Sequence, residues 1–311
     1  MQLALSDACP LFKPEHREQQ LRVLTSVVYH KRHNLLAPLP SRLQEILHPD
    51  LKAIFLEPLR QGLKLSATTS GPPLQFLPDC SSCDPEKLAS YLELDLKLVL
   101  ENAGTDGKYL RLVLGLLRPS LRSRLDPAKG YIDVRQAGGI TEVAKEVGRV
   151  MDGRRSRLLA DLPTRVIAVI DSDSPRPGSP TLQAKQAADD VLAQGVPVHV
   201  LAMRSIENYV PDEALLIYVA ARADRAPAAA VVAKLKTVER DHYPMKSGLS
   251  AKERDAPDSV FGATLELSLG LGDFVTDLVD NFAHAVRADD LLRRDAGGDL
   301  MRLLQLIEEN L

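Results

Sequence analysis

The stretch Arg165-Val-Ile-Ala-Val-Ile-Asp-Ser-Asp173 decides the fold. Residues 166–170 are all apolar and mostly β-branched, with no polar alternation. That pattern predicts a central strand covered on both faces, as in a parallel sheet. The strand stops abruptly at two carboxylates, Asp171 and Asp173. Working outward, Leu96-Lys-Leu-Val-Leu100 is a second short apolar run, ending at Glu101. A glycine-containing turn and helical spacing over Lys108–Leu117 follow it. Tyr131-Ile-Asp-Val134 is a further strand, and Gly138-Gly139 opens a helix that runs to about Val150. Beyond the Asp-x-Asp lie a Pro-rich loop, a helix over Thr181–Gln194 and a fourth strand, Val196–Leu201. Strands that alternate with helices predict βαβ units, hence an α/β fold with a parallel sheet flanked by helices.

The flanks read differently. Residues 1–94 form a partly helical N-terminal region, broken by Pro38, Pro40, Pro49, Pro58, Pro72, Pro73 and Pro78. Segments there such as Glu15–Val28 and Ser41–Leu47 have helical spacing of Leu and Val. Residues 213–311 form a helical C-terminal extension, with helices over Ala214–Ala223, Ala228–Val238, Asp273–Val286 and Leu300–Glu309. Three consecutive pieces are therefore expected: 1–94, without an assigned role; 95–212, the sheet domain; and 213–311.

Composition narrows the class. The 311 residues are 45% hydrophobic and 26% charged, which excludes a disordered or fibrous chain. Aromatics make up 4% and Trp is absent, so Leu, Val and Ala must fill the core. A net charge of −3 argues against whole-molecule attraction to nucleic acid. Basic groupings remain at Arg118, Arg122 and Arg124 and at Arg149, Arg154, Arg155 and Arg157. They read equally as backbone-tracking patches and as solvated faces. Three cysteines are too few for a disulfide framework and fit a reducing compartment. Cys80-x-x-Cys83 is half a zinc knuckle without a second pair, so it reads as two free thiols. The first residues lack the basic start of a signal peptide, and no apolar run approaches the ~18–20 residues that span a bilayer. A cytoplasmic protein without membrane contact is expected.

In an open parallel sheet, ligands bind at the carboxyl ends of the strands. The first strand delivers Glu101 there, with Asp106 just beyond. The third delivers Asp171 and Asp173, and the fourth leads into Arg204-Ser-Ile-Glu-Asn-Tyr209. Brought together, these acids form a hard-oxygen cluster suited to Mg²⁺ or Mn²⁺. Taken singly, each has a plainer reading. Asp106 is equally a first-turn helix charge, Glu207 a helix-start charge, Lys246 a solvated loop lysine and Arg204 a salt-bridge partner to one of these acids. Tyr209 reads as a packing aromatic with a satisfied hydroxyl.

The order of the pieces resembles the topoisomerase–primase (Toprim) domain. Leu98-Val-Leu-Glu-Asn-Ala-Gly-Thr-Asp-Gly-Lys-Tyr-Leu110 is similar to its first motif, and Val169-Ile-Asp-Ser-Asp173 to its Asp-x-Asp motif. Val134-Arg-Gln-Ala-Gly-Gly139 is similar to its middle strand and turn. The run from His199 to Tyr209 resembles the Toprim nucleases of the overcoming-lysogenization-defect (OLD) family and related small prokaryotic defence proteins. One departure stands out: glycine usually follows the Glu directly, whereas Asn102 follows here and the glycine is Gly104.

The resemblance implies a nuclease that cleaves phosphodiester bonds, DNA rather than RNA, with two Mg²⁺ or Mn²⁺ ions, in a setting of anti-phage defence. Glu101 would ligate metal or act as acid/base. Asp171 and Asp173 would ligate metal, and Glu207 would complete the cluster, with Asp106 as a further ligand. Lys246 or Arg204 would hold phosphate charge. No G-x-x-x-x-G-K-[ST] occurs, although OLD enzymes fuse an ATPase to this domain, so the resemblance implies a separate ATPase partner or action without one. Two other readings stand beside it: a non-catalytic Toprim binding or assembly module, and an Asp-x-Asp phosphatase or nucleotide-sugar transferase.

Overall fold

The computed structural model describes residues 2–3, 9–29, 34–35, 43–66, 84–119, 131–159, 162–257, 259–262, 265 and 270–311. Cys80, Cys83, Arg122 and Arg124 lie outside them. The fold is α/β: a four-stranded parallel sheet flanked by helices. Its strands are β1 (Leu96–Leu100), β2 (Ile132–Gln136), β3 (Val166–Ile170) and β4 (Val198–Val200), in the spatial order β2-β1-β3-β4. Lys97 pairs with Val166 and Leu100 with Val169, while Ala168 pairs with Val198 and Ile170 with Val200.

Every residue of β3 is buried, as its unbroken apolar run requires of a strand covered on both faces. Burying each Val or Ile side chain contributes roughly 1.5–3 kcal/mol. The crossovers are α1 (Asp106–Leu117), α2 (Ile140–Asp152) and α3 (Leu182–Leu192). Thr181 caps α3: its hydroxyl accepts the Ala184 N–H at 3.3 Å. Gly107 lets α1 lie close on the sheet, because a Cβ there would meet Val134 Cγ1 at 2.9 Å. From β1 the chain moves outward to β2, returns to β3 and continues to β4 on the other side. The strand order therefore reverses between β1 and β3, and a crevice opens at their carboxyl ends.

The chain divides into two compact units that interleave along the sequence. One comprises Met1–Leu96, Val150–Arg165 and Ile307–Leu311; the other comprises Lys97–Arg149 and Val166–Leu306. This differs from three consecutive pieces. Most of the C-terminal helical region belongs to the sheet unit because its helices cover α1. Lys108 pairs with Asp280 at 2.6 Å, and the Thr105 and Thr276 hydroxyls lie 3.0 Å apart.

The first unit has its own core, built from Leu11, Phe12, Val23, Leu24, Leu51, Phe55, Leu88, Tyr91 and Leu92 among others. Helices Arg17–Leu24 and Pro85–Leu92 are joined through Arg22, which binds Glu86 at 2.6 Å and Glu93 at 2.7 Å. Arg154 is 5% exposed, bonds the Arg165 carbonyl at 2.8 Å and pairs with Asp95. Arg157 donates to the Ser90 carbonyl. These two arginines hold the unit together rather than facing solvent, whereas Arg149 and Arg155 are exposed beside Glu146 and Asp152. Among the described residues, no helix is long and apolar enough to cross a membrane.

Candidate active site

Glu101 and Asp171 meet where the strand order reverses. The Asp171 backbone N–H donates to Glu101 Oε1 at 3.1 Å. Two carboxylates 70 residues apart are thus fixed at adjacent strand ends. Asp173 follows in the left-handed region at φ 48°, which a non-glycine residue adopts only where its surroundings enforce it. Here they do. Asp173 N–H donates to the Arg204 carbonyl at 2.9 Å, and the Ser172 hydroxyl donates to the Met203 carbonyl at 2.8 Å. The Asp-x-Asp turn is therefore tied to the segment that leaves β4.

The turn after Glu101 is held by Asn102. Asn102 Oδ1 accepts the N–H groups of Gly104 at 3.0 Å and Thr105 at 3.3 Å. The Asn102 N–H donates in return to Asp106 Oδ2 at 3.2 Å. Asp106 is 7% exposed, and its Oδ1 is buried without a hydrogen-bond partner. The turn thus keeps Asp106 with the cluster.

Glu207 arrives from the short helical turn Ile206–Tyr209 and is 1% exposed. Its partner is Lys246, whose Nζ lies 2.7 Å from Glu207 Oε1. Asn208 places that loop by donating to the carbonyls of Arg240 and Tyr243, both at 2.9 Å. Lys246 is therefore an ion-paired part of the cluster, not a solvated loop lysine. Arg204 departs from expectation in the other direction. It pairs with Glu253 at 2.7 Å, an acid outside the cluster, and acts on Asp173 only through space. Tyr209 is fully buried; its hydroxyl donates to Asp299 and accepts the Met203 N–H, as a packing aromatic should.

The electrostatics bind these groups into one site. Burial pushes the Glu101 carboxyl up to about 7, and Asp173 and Asp106 add to the rise. Burial and then Glu207 push Asp106 up to about 7. Asp171 lies well above the ordinary carboxylate range through burial, then Glu207, Asp106, Glu101 and Asp173. Asp173 is raised by burial, against the pull of Arg204. Burial alone would lower Lys246, but Glu207, Asp106 and Asp171 hold it above the usual lysine range. Among the described residues, five carboxylates thus lie about one ammonium, that of Lys246, an arrangement short of positive charge.

Among the described residues, no three acidic, His or Cys side chains already stand together as a ligand set. The donor chemistry nonetheless fits a hard divalent cation: every cluster acid offers oxygen, and the buried Asp106 Oδ1 lacks a partner. Glu101, Asp106, Asp171 and Asp173 are the side chains that could hold it, although they do not stand together as a ligand set.

Ser172, Asn208 and Glu253 went unassigned in the sequence reading. For Asn208 the signal was its place directly after Glu207. Ser172 and Glu253 carry no local signal, since their roles depend on partners tens of residues away. No protein family, no curated protein and no solved structure matches the chain.

Proposed function

We propose that this protein is a Toprim-like, Mg²⁺- or Mn²⁺-dependent nuclease acting on phosphodiester bonds, with DNA as the preferred substrate. The observation that carries the reading is the bond from the Asp171 N–H to Glu101 Oε1, which joins the two motifs at the sheet's switch point. Acids raised by mutual repulsion are the groups a divalent cation would most relieve. Glu101, Asp106, Asp171 and Asp173 would hold the metal, which would make a water easier to deprotonate into a nucleophile and would offset charge on the leaving 3′-oxygen.

The chain's own residues do the rest. The Asp171 N–H fixes the orientation of the Glu101 carboxylate. Ser172 and the Arg204 carbonyl fix the turn that aims Asp173. Lys246, with 40% of its side chain exposed, is the cation able to reach a phosphate oxygen. Arg204 is committed to Glu253 and is a positioning residue. An ATPase acting in trans and a role in phage defence belong to the same reading through sequence resemblance alone.

The test is incubation with supercoiled, linear and single-stranded DNA and with RNA, with Mg²⁺ or Mn²⁺, beside Asp171→Ala. Cleavage by the wild type and none by the variant is expected. Equal cleavage by both would remove the proposal.

A further inference from the structure

Glu207 is the most deeply buried of the five acids, yet it is the one with a cation already in contact. The contact is asymmetric. Glu207 is sealed in the turn Ile206–Tyr209, which Asn208 anchors to the main chain on both sides of His242. Lys246 has a fixed backbone but a free flank. Leu271 N–H donates to the Met245 carbonyl at 2.7 Å, and Gly272 N–H to the Lys246 carbonyl at 3.1 Å. Gly270 presses so close that a Cβ on it would lie 1.9 Å from the Lys246 carbonyl oxygen. The side chain that leaves this braced loop is still 40% exposed. Lys246 can therefore swing toward solvent while Glu207 stays where it is. Among the described residues, the four remaining acids have no ammonium in contact, and Asp106 Oδ1 has no hydrogen-bond partner.

We infer that Lys246 is a resident counter-ion that withholds Glu207 from divalent metal until a phosphate oxyanion draws the ammonium away. The inference rests on the metal reading above and adds an order of events to it. The free protein takes its first cation with Glu101, Asp106, Asp171 and Asp173. Glu207 becomes a ligand for a second only when phosphate arrives. A nucleic-acid backbone is the fitting trigger, because its successive phosphodiester monoanions together compete for an ammonium against a single carboxylate. Such a device would keep the full metal complement from assembling before substrate.

The test is Mn²⁺ binding to the full-length protein, measured by calorimetry without nucleic acid. Wild type, Glu207→Gln, Lys246→Met, the Lys246→Met/Glu207→Gln double variant and Asp171→Asn are compared. Glu207→Gln is expected to weaken Mn²⁺ binding by no more than Lys246→Met tightens it, the effect of one charge beside the site, whereas Asp171→Asn, which removes a ligand, weakens it at least about a hundredfold. Lys246→Met is expected to tighten Mn²⁺ binding at least about tenfold or to add a second ion, since a positive charge is removed beside the site. The double variant should lose that gain. Should Lys246→Met fail to fold, Glu207→Gln decides alone. Weakening by Glu207→Gln as large as that by Asp171→Asn overturns this inference and leaves the metal reading intact. Absence of Asp171-dependent Mn²⁺ binding in the wild type overturns both.

Discussion

Replacing Asp106 with Asn should make the metal-free protein more stable, although it removes a cluster acid. Burial and Glu207 raise this carboxyl from 3.8 to about 7. A folded-state value above the unfolded one means that the native state holds more protons between about pH 4 and pH 7. Stability is then lost as pH rises through that window, and the full penalty is present above about 7. Three units at about 1.36 kcal/mol each set an upper value of about 4 kcal/mol. Screening by water and counterions reduces the expected gain to about 1–3 kcal/mol. Asn keeps the oxygen that accepts the Asn102 N–H, and its amide gives the cluster carboxylates a donor. Thermal unfolding in EDTA at pH 8 should show Asp106→Asn melting about 2–12 °C above the wild type, at roughly 2–4 °C per kcal/mol. At pH 4.5 the two should nearly coincide. Added Mn²⁺ should stabilise the variant less than the wild type, because an oxygen ligand is gone. A variant that melts at or below the wild type in EDTA at pH 8 refutes the claim that the site is under charge repulsion.

Two further outcomes test the scaffold. Burial alone would raise Asp299, but hydrogen bonds from His199, the Ala202 N–H and Tyr209 hold it well below the usual carboxylate range. Its contribution is thus present above about pH 4 and lost as pH falls through the depressed folded value. Asp299→Asn should lower urea-measured stability by about 2–4 kcal/mol at neutral pH, and the loss should begin to shrink only below about pH 4, with most of it still present at pH 3; a loss that does not shrink below pH 4 would contradict the network. Gly270→Ala should cost about 1–3 kcal/mol by thermal melting, because its Cβ collides with the Lys246 backbone rather than with a flexible side chain. Gly115→Ala, with nothing within 4 Å of the added atom, is the control and should be neutral or stabilising by up to ~1 kcal/mol.

The sheet was legible chiefly because β3 is a continuous apolar run and β1 a nearly apolar one, each ending at a carboxylate. Residues 166–170 read as a buried strand and are one. The edges slipped by a residue or two: β2 runs Ile132–Gln136 against an expected 131–134. Helix Pro49–Ser66 was missed because Pro58 looks like a breaker, yet it sits within the helix. Helix Pro85–Leu92 was missed although Asp84 and Pro85 are a regular helix start, Asp84 accepting the Glu86 N–H. The long helix expected over 228–238 breaks into Ala226–Val232 and Thr237–His242.

At the site, the acids were readable because they sit at strand ends, where position along the chain fixes position in space. Lys246 was harder to weigh. Its distance from Glu207 is set by Asn208 and by the 270–272 segment, which no local pattern announces. Gly270 lets its backbone lie against that of Lys246, and Gly272 takes a φ of 62° that glycine adopts without strain.

The brace around Lys246 also bears on how the molecule is made. A chain leaving the ribosome presents Glu101, Asp106, Asp171, Asp173 and Glu207 before the lysine that offsets them, and before the 270–272 segment that seats it. Until that last stretch emerges, closing the crevice would bury acids with no neutralising neighbour, a state that unpaired charge makes costly. The nascent sheet therefore has reason to stay open and hydrated at one edge until translation has passed residue 272.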